Sequence, residues 1–129
     1  MSINNLPDHA ISIQNLSKKF KNPSGKGFFY ALDDITLSIP RGSIFGLLGP
    51  NGAGKSTFIN ILAGLTIKTS GNACVWGNDL DKNPKAARSS LGVVPQELTI
   101  DPFFTPRESL EQQAGLYGVR PKDRNIDYI

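Results

Sequence analysis

The sequence predicts an α/β fold, in which short strands alternate with helices. Ile44 to Leu48 form a short, continuous apolar run, as expected for a strand that is buried on both faces. The next segment, Gly49 to Gly54, contains three glycines and a proline and therefore ends the strand. Ser56 to Ala63 then have the apolar pattern of a buried helix. This order of strand, glycine loop and helix is the main support for the predicted fold class.

Composition indicates a packed domain and argues against several classes of function. Apolar residues make up 39% of the 129 residues and charged residues 19%, which suits a globular protein. The net charge of +3 is too small to indicate a nucleic-acid partner. The single cysteine, Cys74, cannot form an internal disulfide. No apolar run approaches the roughly 20 residues that cross a bilayer, so we expect any membrane role to act through a partner.

Two strands are predicted before the glycine loop. Residues Ile11 to Leu16 have a mostly alternating apolar pattern, which predicts a first strand. The stretch from Ser17 to Lys26 is rich in Lys, Gly, Asn and Pro and predicts a loop. In the segment Ile35 to Ile39, apolar residues alternate with polar ones, which is typical of a half-buried strand.

Further elements follow the helix at Ser56 to Ala63, which Gly64 is expected to end. Strands are predicted at Ala73 to Trp76 and at Leu91 to Val94, with a turn at Gly77 to Asp79 after the first of them. Pro84 can open a short helix to about Ser90, with Asn83 as its cap.

The last predicted helix has the clearest start in the sequence. Thr105 can cap it, Pro106 suits its first turn, and Glu108 can bond back to the cap. This helix is expected to run to about Tyr117 and to stop at Gly118.

The segment Gly49 to Ser56 matches the pattern G-x-x-x-x-G-K-[ST], which predicts a phosphate-binding loop. Glycines allow the backbone to curl so that successive N–H groups point at anionic oxygens. Lys55 can reach the β- and γ-phosphates of a nucleoside triphosphate, and the Ser56 hydroxyl can ligate magnesium. A plain glycine turn with a surface lysine is the alternative. The predicted site for ATP and magnesium comprises Gly49, Pro50, Asn51, Gly52, Ala53, Gly54, Lys55, Ser56 and Thr57.

Four aromatic residues upstream of the loop could stack on a purine base: Phe20, Phe28, Phe29 and Tyr30. Ordinary core packing is the alternative for each of them. Gln96 follows the predicted strand Leu91 to Val94, a position that faces ligands in open α/β sheets, although such a glutamine is also a common loop residue.

Two groups that ATP hydrolysis requires are missing from the expected places. No acidic residue directly follows a run of four apolar residues, and Glu97 is separated from its strand by Pro95 and Gln96. We therefore predict that this chain lacks both the aspartate that holds magnesium and the catalytic base.

The sequence GLLGPNGAGKST, Gly46 to Thr57, closely resembles the ATP-binding subunits of ABC transporters, and the resemblance extends from Ile11 to about Val119. Ser17 to Phe20 resembles the family segment whose aromatic residue stacks on adenine, which implies that role for Phe20. Leu91 to Glu97 resembles the family's Q-loop. The resemblance therefore implies Lys55 and Gln96 as catalytic residues, and Ser56 and Gln96 as contacts of magnesium.

The resemblance also implies an architecture, namely a P-loop NTPase core of the RecA-like type with an N-terminal antiparallel β part. Residues 1–43 would form mainly the β subdomain, residues 44–97 a portion of the P-loop core, and residues 98–129 the start of a helical subdomain. The family's LSGGQ signature, magnesium aspartate and switch histidine would lie beyond Ile129. The chain is thus expected to be the N-terminal part of one nucleotide-binding domain, truncated before the Walker B strand, with little ATPase activity alone.

Partners and location are implied in the same way. A subunit of this family would pair with a second ATP-binding subunit and with an integral membrane permease, at the cytoplasmic face of the cell membrane. Phe104 to Leu110 and Ala114 to Gly118 resemble the branch that exports drugs, polysaccharides or lipids. A soluble member of the superfamily, acting in DNA repair or translation, is the alternative. The sequence of residues Asn51 to Gly54 and the position of Gln96 argue against a P-loop kinase or GTPase.

Overall fold

Two long strands form an antiparallel hairpin in the computed structural model of this chain. They are β1 (His9–Lys21) and β2 (Phe28–Pro40). The free edge of β1 pairs with β3 (Ser70–Val75), which turns into the two-residue strand β4 (Asn78–Asp79). The resulting antiparallel sheet has the order β2-β1-β3-β4, so the first strand of the sequence lies inside the sheet.

The structure describes residues 6–94 and 103–126, which fall into two compact units, Met1–Val93 and Val94–Ile129. The sheet belongs to the first unit, and the second contains helix α3 (Pro106–Leu116) and a 3-10 turn. Within these two described ranges, no helix combines the length and apolar character needed to span a bilayer.

Two helices of the first unit contribute to its core. They are α1 (Lys55–Leu62) and α2 (Pro84–Ser89). Buried apolar side chains of both helices and of β1, β2 and β3 form one cluster, which comprises Ile13, Leu16, Leu32, Phe58, Ile61, Leu62, Ala73, Val75 and Ala87. The helix α1 therefore lies against the sheet that contains the hairpin, and this packing fixes the segment just before the helix.

Two predicted helix ends are confirmed by their hydrogen bonds, whereas Asn83 precedes α2 without the side-chain hydrogen bond of a cap. Gly64 has a φ of 73° and ends α1, where the N–H of Leu65 donates to Asn60 O at 2.8 Å. At the start of α3, the Thr105 N–H donates to a Glu108 carboxylate oxygen at 2.8 Å, and the Glu108 N–H donates to the Thr105 hydroxyl at 3.3 Å. This reciprocal arrangement is the predicted capping box.

The loop predicted at Ser17 to Lys26 is wrong over its first half, because β1 continues to Lys21. The polar and aromatic residues of this stretch pair across the hairpin, with Lys19 opposite Tyr30 and Phe20 opposite Phe29. Such cross-strand pairs stabilise a sheet without an alternating apolar pattern. The loop is confined to the few residues between the strands, where the Asn22 N–H donates to Gly27 O at 3.0 Å.

The strands predicted at Ile44 to Leu48 and at Leu91 to Val94 are also wrong, because neither segment is a strand in the structure. Ile44 and Leu48 are 104% and 93% exposed. A strand buried on both faces needs hydrogen-bonding neighbours and a covering layer on each side. Among residues 6–94 and 103–126, no segment pairs with either of these two runs.

Smaller differences concern β3 and its turn. This strand covers Ser70–Val75 rather than Ala73 to Trp76. The turn that follows is centred on Trp76 and Gly77, with φ values of 52° and 75°, one residue earlier than predicted. Two successive residues at positive φ are typical of a tight hairpin turn of type I′.

Candidate phosphate-binding site

The glycine loop curls between the irregular segment at residues 43–50 and the first turn of α1. Gly52 and Gly54 have φ values of 83° and 88°, and the Ala53 N–H donates to Pro50 O at 3.2 Å. A residue with a side chain pays about 1–2 kcal/mol for such a left-handed conformation. The glycines of the pattern therefore lie where the backbone requires them.

The first turn of α1 leaves its amide groups open. Gly54 caps the helix without a side-chain hydrogen bond, and the first turn contains no acidic residue. The first helical bond is donated by the Phe58 N–H to Gly54 O at 2.9 Å. In the described part of the chain, no group accepts a hydrogen bond from the N–H groups of Lys55, Ser56 and Thr57. These amides, together with the positive end of the helix, form a site suited to an anion.

The Lys55 side chain turns back over the loop that precedes it. Its Nζ donates to Pro50 O at 2.7 Å and also to Gly49 O. Within residues 6–94 and 103–126, Lys55 forms no ion pair with a carboxylate. The ammonium is thus held at the loop by carbonyl oxygens, with its positive charge available to a phosphate.

The end of the loop rests on the hairpin. A β-carbon placed on Gly54 would lie 2.2 Å from Ala31 O and 2.9 Å from Leu32 Cδ2. At Gly52, by contrast, a β-carbon would meet nothing within 4 Å. Gly54 is therefore needed both for its backbone conformation and for its close approach to β2.

Pairing in the hairpin shows which aromatic residues share the face that Gly54 touches. Lys18 lies opposite Leu32, and its Nζ is 4.7 Å from the centroid of the Phe20 ring. The Phe20 and Phe29 rings, on directly paired residues, have centroids 5.9 Å apart at an interplanar angle of 32°. A register shift between Lys18 and Lys19 interrupts the alternation of side chains along β2. Because paired residues of a sheet point to the same face, the pairs Lys18–Leu32 and Phe20–Phe29 place both rings on the face of Leu32.

The other two aromatic candidates lie on the opposite face. Tyr30 is paired with Lys19, whose Nζ is 4.7 Å from the centroid of the tyrosine ring. Phe28 is paired with Lys21 and alternates with Phe29. Among the four aromatic candidates, the family resemblance singles out Phe20. Only the register of the hairpin reveals that the two rings adjoin.

Gln96 lies outside the described residues, so its predicted position beside the loop stays a prediction. Lys55, Ser56 and the glycines come together in one loop because they are adjacent in sequence. Phe20 lies on β1, which pairs with β2, and Gly54 contacts β2.

A cavity of about 210 Å³ lies at the other end of α1, with Gly64, Lys68 and Arg88 in its lining. The Lys68 Nζ is already bound to Asp81 Oδ2 at 2.7 Å and to Gly71 O at 2.7 Å. This lysine therefore stabilises the connection between α1 and β3, and the cavity is separate from the glycine loop.

Comparison with known proteins identifies relatives of this chain. The sequence profile of the ABC transporter family matches residues 32–127. The chain is 41% identical over 115 residues to the "Probable multidrug ABC transporter ATP-binding protein YbhF" of Escherichia coli strain K12, covering 89% of this chain and 19% of that protein. It is 36% identical over 112 residues to the doxorubicin resistance ATP-binding protein DrrA of Mycobacterium tuberculosis, covering 87% of this chain and 33% of that protein.

Solved structures show the same relationship. The structure of an ATP-binding subunit of an ABC transporter superposes with a TM-score of 0.73 at 27% identity, over 88% of this chain and 45% of that one. The dimeric ATP-binding cassette MJ0796, in a post-hydrolysis state bound to ADP and Pi, gives a TM-score of 0.72 at 28% identity, over 83% and 47% of the two chains. The present chain thus spans less than half the length of each of these proteins.

Proposed function

This chain belongs to the ABC transporter family, and we propose that it binds ATP with magnesium as part of an ATP-binding subunit that powers export through a membrane permease. One observation carries the proposal. Three amides at the start of α1 that have no acceptor among the described residues occur together with the Lys55 ammonium in a glycine loop that can approach a ligand closely.

Each part of the site has a proposed role in holding the nucleotide. The phosphates lodge against the backbone of Gly49 to Thr57, and Lys55 exchanges its carbonyl partners for β- and γ-phosphate oxygens. The Phe20 ring stacks on the adenine base, since it lies on the face of the hairpin that Gly54 contacts.

The donor chemistry of the loop fits magnesium. The ion prefers hard oxygen ligands and keeps several waters, and Ser56 places an exposed hydroxyl at the start of α1. Ser56 and Gln96 are the proposed contacts. When bound with ATP, magnesium neutralises charge on the phosphate oxygens.

We assign hydrolysis to the complete subunit, with Lys55 and Gln96 as proposed catalytic residues. In this family's mechanism two subunits enclose two ATP molecules, and each completes the site of the other. The chain alone is therefore expected to bind ATP but to turn it over slowly. Export of drug-like molecules is the proposed task, because relatives of this chain carry names of multidrug and doxorubicin resistance.

Removing the ammonium tests the proposal directly. Affinity for ATP with magnesium is measured by titration calorimetry for the chain and for Lys55→Ala. A hydrogen bond to a charged group contributes about 1.5–3 kcal/mol, so Lys55→Ala should weaken binding about tenfold to a hundredfold.

The matched control is Lys85→Ala, which removes an exposed lysine from the first turn of α2. This variant should bind ATP as the unmodified chain does. Equal affinity of Lys55→Ala and Lys85→Ala would overturn the assignment of the phosphate site.

A further inference from the structure

We propose that Phe29 is a second base-contacting residue, so that the purine is received by the ring pair Phe20–Phe29 rather than by Phe20 alone. The inference rests on the proposed function, because it requires that the triphosphate lodge in the glycine loop. It adds a base-contacting residue on β2, the strand against which the loop itself is packed.

The first step is the position of the pair in the fold. Lys18 shows that the rings and Leu32 are on one face of the sheet, because it is paired with Leu32 and its Nζ lies over the Phe20 ring. Leu32 is buried in the core, and its side chain meets the position where a β-carbon of Gly54 would be. Phe29 precedes Leu32 by three residues, but a register shift between Lys18 and Lys19 leaves their partners Phe20 and Lys18 only two residues apart on β1. Phe29 therefore lies roughly 7 Å along the sheet from Leu32.

The second step is the exposure of the rings. Phe20 and Phe29 are 36% and 44% exposed, although they share a face with buried Leu32. Two phenyl rings could have covered each other in a closed stack. Their tilt of 32° at a centroid separation of 5.9 Å instead leaves surface of both rings open.

The third step is the size of the ligand. A purine has two fused rings and is wider than one phenyl ring, so a single ring covers only part of it. Two tilted rings side by side offer a broader apolar surface, and stacking on such a surface requires only flat faces. The pair therefore matches a purine better than either ring alone.

The test separates contact with the base from contact with the phosphates. Affinities for ATP and for inorganic tripolyphosphate are measured on the 129-residue chain and on its Phe29→Ala variant. Loss of one stacking ring should weaken ATP binding about fivefold to tenfold, toward the low end of measured base-stacking effects. Tripolyphosphate, which has no base, should bind with unchanged affinity.

Tyr30→Ala is the matched control, since it removes a neighbouring exposed ring from the opposite face of β2. Neither of its affinities should change. Phe29→Leu keeps an apolar side chain without a ring and should lose ATP affinity as Phe29→Ala does, while Phe29→Tyr should restore it. This series covers the case in which Phe29→Ala folds poorly.

The possible outcomes separate this inference from the proposed function. If the unmodified chain binds neither ligand, the phosphate site itself is wrong and both ideas fail. If Phe20→Ala weakens ATP binding while Phe29→Ala matches Tyr30→Ala, the proposed function stands and the role of Phe29 is overturned. Equal weakening of ATP and tripolyphosphate by Phe29→Ala, with Phe29→Leu behaving normally, would also overturn it, because it indicates a purely structural role.

Discussion

Gly52 and Gly54 occupy the same backbone conformation but differ in what surrounds them. Both have φ values between 83° and 88°. A β-carbon at Gly52 would point into open space, whereas one at Gly54 would meet the carbonyl oxygen of Ala31. This carbonyl belongs to the backbone of a paired strand, so it cannot move aside as a flexible side chain can.

Alanine substitutions at these two glycines should therefore differ in cost. Gly52→Ala should lower the free energy of unfolding by about 1–2 kcal/mol, because alanine disfavours the left-handed backbone conformation. Gly54→Ala introduces the same backbone strain and must also displace the loop from β2. Its free energy of unfolding should therefore be lower than that of Gly52→Ala. Urea denaturation of both variants measures the difference. If the two midpoints coincide, the packing of Gly54 on Ala31 does not contribute to stability.

Helix α3 shows how far a local sequence pattern can determine structure. Its start at Thr105 and its stop near Gly118 follow from capping rules alone. The helix has no buried residue among those described. Local hydrogen bonds at its ends are thus a large part of what stabilises it.

Helicity at α3 should depend on pH through Glu108. Hydrogen bonds from the backbone N–H and the hydroxyl of Thr105 hold the pKa of this carboxyl below its usual value of 4.5. A lowered pKa contributes stability that is present above the usual value and is lost as the pH falls through the lowered one. Circular dichroism between pH 6 and pH 2 should therefore show a loss of helix below about pH 4.5.

The matched variant is Glu108→Gln, which can still bond back to the cap but does not titrate in this range. Asp79 is a second carboxyl with a lowered pKa, caused chiefly by hydrogen bonds from the backbone N–H groups of Lys82 and Asp81. Asp79→Asn separates its contribution from that of Glu108. An acid transition that is unchanged in Glu108→Gln would show that the capping box does not control it.

The β-strands show where sequence patterns stop being sufficient. The register that pairs Phe20 with Phe29 is set by pairing along the whole hairpin, out to His9 and Pro40, and by its register shifts. The polar stretch around Lys18 gives no alternating pattern that would predict it. The apolar run at Ile44 to Leu48 is the reverse case, because its pattern predicts a strand that the structure does not contain. Its composition predicts a buried strand, but a strand also requires neighbours to pair with, and composition cannot provide them.

Across the chain as a unit, the glycine loop is predictable because its residues are adjacent in sequence and Gly52 and Gly54 are required by their positive φ values. Its relation to the hairpin was not predictable, because it depends on the contact of Gly54 with Ala31 and Leu32. The predicted fold class is confirmed by the match to solved ATP-binding cassettes. This chain spans less than half of either cassette.

The exposed run at Ile44 to Leu48 predicts the behaviour of the chain in solution. Contiguous apolar surface favours association with other copies, so the 129-residue chain should self-associate as its concentration rises. Replacing the two most exposed members, Ile44→Lys together with Leu48→Lys, should reduce this association while leaving the folded core intact, because neither side chain belongs to that core. Ser24→Lys together with Ser38→Lys adds the same charge at exposed polar positions and controls for electrostatic repulsion. Sedimentation velocity over a range of concentrations measures all three proteins, and a stable monomer for the unmodified chain would contradict the prediction.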